Sequence, residues 1–148
     1  MKLEIGVWQF VRIMVELEAR AARRKGRRPA AQGRSAVYDD WREAWDELDS
    51  RLTELGARDQ GAYADLMMNQ NVVVKCHGAA QFEEVSDALG RIIETLKVEI
   101  ERGGPRGHLK DLRFESRELQ GLRQDLAARA GAKSRRKPRP SRGATRKA

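Results

Sequence analysis

One cysteine, Cys76, stands alone in a chain of 148 residues, so no internal disulfide forms and nothing points to an oxidising compartment. Aromatic residues are only 5% of the chain. No stretch of about 18 consecutive apolar residues occurs, so no membrane-spanning helix is expected. A secretion signal is not expected either: the opening MKLEIGVWQFVRIMVELEARAARR is interrupted by Gln9 and Arg12, and Glu4 stands where a basic region belongs. A reducing, cytoplasmic location is the default expectation. One cysteine with two histidines does not make a standard metal-ligand set, so no metal or other cofactor is expected.

Charge is what the chain has in plenty. Charged residues make up 35%, above the roughly 25% of ordinary globular chains, which suits long helices with solvated faces. The net charge of +8 is unevenly placed. The last sixteen residues, KSRRKPRPSRGATRKA, contain Lys133, Arg135, Arg136, Lys137, Arg139, Arg142, Arg146 and Lys147 and no acid. Removing those eight cations from thirty leaves twenty-two, equal to the twenty-two acids, so the body is neutral and the end holds the whole excess. Residues 20–34, RAARRKGRRPAAQGR, form a second basic block of seven cations, followed over 35–65 by nine acids against Arg42, Arg51 and Arg58.

Residues 3–24 read as a first helix. Apolar residues cover most of its circumference, and Gln9, Arg12, Glu16, Arg20 and Arg23 fall on one narrow polar stripe. Frequent Val and Ile and the alternation of Leu3, Ile5 and Val7 offer a strand over residues 3–15 as the competing assignment. Gly26, Pro29 and Gly33 make 25–34 a loop. A second helix over 36–55 has Ser35 as its N-cap and Gly56 as its stop. Residues 60–76 read as a third helix, with a short strand at Val72–Val74 as the alternative. The span 80–126 reads as a helical hairpin: Phe82, Val85, Leu89, Ile92 and Leu96 on one limb, Leu109, Leu112, Leu119 and Leu126 on the other, broken near Gly103–Gly107. These stripes have a period near 3.5, that of helices that wrap around one another.

The expected fold is therefore all-α, an antiparallel helical bundle of about four helices over residues 1–132. Residues 133–148 are expected to form a disordered Lys/Arg-rich tail, since they lack the large apolar residues that would offset ordering entropy.

The tail is the strongest functional signal. Eight cations without an acid suit a polyanion, and each phosphate neutralised releases counterions without any reading of sequence. Nucleic acid bound through its phosphate backbone is the leading partner; an acidic protein or an anionic membrane surface is the alternative. Arg24, Lys25, Arg27 and Arg28 form a second candidate phosphate contact, unless this block pairs with the acidic helix that follows. KGRRPA (25–30) and RKPRPSRG (136–143) resemble the AT-hook, a minor-groove arm, but the first inserts an extra arginine and the second has proline in place of glycine.

Tyr38, Trp41, Trp45 and Leu48 fall on one face of the second helix. Such a row is either inward packing or an interface for a partner or a second copy. Catalysis finds little to work with: Cys76 and His77 are neighbours whose side chains diverge, and RGGPRG lacks the lysine and hydroxyl of a phosphate loop. No small-molecule substrate is evident. The sequence reads as a non-enzymatic accessory or assembly protein.

Overall fold

Leu3 and Ile5 alternate with Lys2, Glu4 and Gly6, and the alternation builds a strand. The computed structural model describes residues 1–25 and 35–136. In it β1 (Lys2–Gly6) pairs antiparallel with β2 (Asn71–Lys75), placing Leu3 opposite Val74 and Ile5 opposite Val72. The ladder continues past both ends: the Met1 ammonium donates to the Cys76 carbonyl at 3.1 Å, Cys76 N–H donates to Met1 O at 2.9 Å, and Val7 N–H donates to Gln70 O at 2.9 Å. The helix expected over 3–24 thus begins only at Val7, and the one expected over 60–76 ends at Asn69. Both corrections have one cause. The β-branched run at 72–74 and the alternating start satisfy each other's backbone groups across some seventy residues, a pairing no local periodicity can show.

Helix α1 (Val7–Lys25) starts where Gly6 N–H donates to Gln9 Oε1 at 3.1 Å. It buries Val7, Phe10, Ile13, Met14 and Leu17. Its polar stripe reaches neighbouring groups: Arg12 pairs with Glu115 at 2.6 Å, Arg23 with Glu16 at 2.9 Å, and Arg20 donates to the Glu84 carbonyl at 3.5 Å. Exposed pairs of this kind contribute only about 0–1 kcal/mol each. Of these, Arg12–Glu115 and Arg20–Glu84 tie α1 to other helices, while its apolar arc supplies the stability.

Ser35 caps α2 (Ala36–Arg58) as its side chain predicts, accepting from Tyr38 N–H at 3.0 Å and donating to the Glu84 carboxylate. The helix does not stop at Gly56. It runs on to Arg58, because Asp59 supplies the terminus: its N–H donates to Leu55 O at 2.7 Å while its carboxylate accepts from Ala62 N–H at 3.0 Å, which opens α3 (Gln60–Asn69). One residue ends one helix and starts the next.

The hairpin forms as its sequence predicts, from α4 (Gly78–Arg102) and α5 (Arg106–Arg136). Gly103 turns the chain at φ +80, a left-handed conformation glycine adopts without a Cβ clash, and its N–H donates to Ile100 O at 3.1 Å. Phe82, Val85, Leu89, Ile92 and Leu96 are buried, as are Leu112, Ser116, Leu119 and Leu126 on the facing limb. The helix α5 continues through Arg136, four residues past the expected body boundary at Ala132. The remainder of the expected tail, 137–148, lies outside the described residues. The all-α class holds, with five helices rather than four among the described residues and a small two-stranded sheet, whose pairing the sequence does not show.

Candidate functional site

The aromatic row of α2 turns inward. Trp41 is 2% exposed and Leu48 is buried, while Tyr38 and Trp45 are half-buried. Phe10 holds the row together, its ring centre 5.9 Å from Trp41 and 6.2 Å from Trp45. The Trp41 indole N–H donates to the Lys75 carbonyl at 2.8 Å. These side chains therefore contact this chain's own core, and only the partly exposed Tyr38 and Trp45 remain open to a partner.

Burial pushes the Tyr38 phenol above its ordinary 10.0, and Glu18 adds to the shift. The folded chain thus holds this proton more tightly than the unfolded chain. The stabilisation is complete below pH 10.0 and is lost as pH rises through the higher folded value. In denaturant titrations at increasing alkaline pH, Tyr38→Phe is expected to flatten the fall in stability above that point.

Helices α1 and α5 both run toward the start of α4. Helix α1 runs antiparallel to α4, with Arg12 and Ile92 lining one cleft and Arg20 reaching Glu84 further on. Helix α5 also runs antiparallel to α4, and Arg123 Nε donates to Ser86 Oγ at 3.1 Å. The α1 and α5 contacts thus land two residues apart, at Glu84 and Ser86, near the start of α4. Beyond them α1 goes on to Arg24 and Lys25 and α5 to Lys133, Arg135 and Arg136. Counting on from the Arg123–Ser86 bond, Gly78 lies eight residues before Ser86 and faces position 131, eight after Arg123, so 132–136 extend past the start of α4. Arg27 and Arg28 in the loop, and Lys137, Arg139, Arg142, Arg146 and Lys147 in the tail, lie outside the described residues.

In the basic block, Arg23 pairs with Glu16 on its own helix rather than with α2. The described ion pairs of α2 are internal, Arg42 with Asp46 and Arg58 with Glu54. Cys76 is buried at the end of the β2 ladder, and exposed His77 precedes α4, its N–H donating to Gln81 Oε1 at 2.7 Å. His108 stands exposed on α5, in the first turns after the hairpin loop. Among the described residues, no group of three or more His, Cys, Asp or Glu side chains could hold a metal ion, and no helix is long and apolar enough to cross a membrane.

An apolar cleft of about 490 Å³ went unread in the sequence. Trp8 and Val11 of α1, Met67 and Met68 of α3 and Phe114 of α5 line it, with Arg12, Asp111 and Glu115 at its rim. Met68 is 58% exposed and Phe114 43%, and the Trp8 and Phe114 ring centres are 6.3 Å apart. Its one local signal was Val11 and Trp8 on a helix apolar over too wide an arc for a single buried face.

Comparison with family models, curated proteins and solved structures gives no significant match for this chain.

Proposed function

We propose that this protein is a non-enzymatic helical accessory protein. Its body mediates assembly, and one basic end holds nucleic acid by charge, without sequence preference, in the cytoplasm. The observation that carries the reading is the convergence of α1 and α5 on the start of α4. The two basic segments, about a hundred residues apart in sequence, follow helices that both end beside the start of α4, where their potentials would add over a polyanion. A phosphate backbone would meet such an end along its length, and α5 continues as a helix through Arg136. The exposed cleft of Trp8, Met68 and Phe114 supports the assembly role, since aromatic and methionine side chains are enriched at interfaces.

The test uses the full chain and a variant in which the eight Lys and Arg residues from Lys133 to Lys147 are replaced by Gln. Duplex affinity is measured against salt concentration. For the unmodified chain the log–log slope is expected to be steep, up to about −7 if all eight cations engage. The variant is expected to lose most of that slope, with Arg24, Lys25, Arg27 and Arg28 supplying what remains. Equal, salt-insensitive affinities for the two would remove the proposal. Preferential binding of anionic vesicles over duplex would assign the basic end to membrane lipid instead.

A further inference from the structure

Val73 is the most exposed of the large apolar residues among the described residues, at 61%. Met1 and Cys76 exchange both backbone bonds. In an antiparallel ladder such pairs alternate with pairs that exchange none. Leu3–Val74 and Ile5–Val72 are therefore bonded pairs, and Asn71, Val73 and Lys75 turn their N–H and C=O groups away from β1. On that free edge one described partner is present, the Trp41 indole, which donates to Lys75 O. The bond draws α2 alongside the edge and leaves a groove of about 450 Å³ between helix and strand.

The two walls differ in chemistry. Val73 and Lys75 form the strand wall, whereas Asp40, Glu43 and Glu47 line the helix wall at steps of three and four, on one face of α2. Among the described residues, Glu43 and Glu47 make no ion pair, and Asp40 accepts only from the neutral Gln81 amide at 2.8 Å. Lys2, Glu4 and Lys75 share the outer face of the sheet with Val73, Glu4 directly opposite it, and Lys2 also lines the groove.

We propose that this groove binds an extended peptide of a partner protein, which adds to β2 as a third strand and carries Lys or Arg at alternate positions. The free edge supplies main-chain hydrogen bonds, the source of affinity when a peptide joins a sheet. The two-residue period of a strand supplies the selectivity. In the proposed pose every second side chain faces the carboxylates of α2, and those between lie beside the exposed Val73, which favours an apolar side chain there. The preferred pattern is thus basic–apolar–basic. A compact cation could satisfy the carboxylates but would leave the backbone edge unpaired.

The probe is a seven-residue capped peptide of alternating valine and lysine, added to the full isotope-labelled chain at low salt and followed by amide resonances. Saturable shifts are expected at Asn71–Lys75 and at the Trp41 indole N–H. Replacing both Glu43 and Glu47 by Gln should weaken binding about tenfold, the worth of two exposed ion pairs. These side chains are on the solvent face of α2, so the fold should survive. Methylating the peptide amides that face the edge should abolish binding, as should a valine–glutamate peptide. Undiminished binding of the methylated peptide, shifts centred elsewhere, or no binding at millimolar concentration would overturn the proposal.

Discussion

Trp41→Ala should lower the unfolding free energy by about 3–5 kcal/mol, the usual range for removing a large aromatic from a core. Three contributions act at this one residue. The ring is 2% exposed and tilted by 32° against Phe10, so truncation opens a cavity between α1 and α2. Phe10 also touches Trp45, and it loses one of its two aromatic neighbours. The indole bond to Lys75 O is lost as well, and with it the only described side-chain tie from α2 to the sheet edge. A domain is stable by only about 5–15 kcal/mol, so this variant should unfold at markedly lower urea. Trp41→Phe separates the contributions. It keeps most of the volume and drops the bond, and since water can reach the edge carbonyl it should cost about 1 kcal/mol. An alanine variant within about 1 kcal/mol of the unmodified chain would show that the row is not a core face.

How far this core could be read in advance depends on how local its signals are. Trp41 and Leu48 were legible as one face of a helix, though not as core rather than interface, because a helix repeats such positions every three or four residues, and the two limbs of the hairpin were legible for the same reason. Ser35 was legible because a cap needs only its own helix. The sheet was not. Leu3 and Ile5 look like the start of the apolar arc that follows, and only Val72 and Val74, far along the chain, decide otherwise. Gly56 misled by its type: glycine often follows a helix, but here Asp59, three residues later, provides the terminating bonds. The candidate site divides in the same way. The basic residues could be counted from the sequence, but that α1 and α5 both run to the start of α4 rests on Arg20–Glu84 and Arg123–Ser86, contacts between helices that carry no pattern of their own. The groove beside β2 was illegible for both reasons, since it needs the sheet and the docking of α2 together.

Leu119→Glu should release α5 while leaving the sheet and the helices around it folded. Leu119 is fully buried in the α4–α5 seam, in line with Leu112, Ser116 and Leu126. Leucine-to-alanine changes at such sites cost about 2–5 kcal/mol, and a carboxylate adds the penalty of an unpaired buried charge. Besides α4, α5 reaches the body through Arg12–Glu115 and Trp8–Phe114, an exposed ion pair and a partly exposed ring contact. Neither is strong enough to hold it. Hydrogen exchange should therefore show amides in 106–136 losing protection, while those of Leu3, Ile5, Val72 and Val74 keep theirs, because local stability follows local burial. Simultaneous loss of protection everywhere would mean that α5 is not a separable unit. The same variant bears on function. If the basic end holds nucleic acid by counterion release alone, its salt slope should survive the detachment of α5, because the cations remain covalently present. A slope that collapses on undocking would instead show that binding requires α1 and α5 to be held side by side at the start of α4. That outcome would overturn binding by counterion release alone.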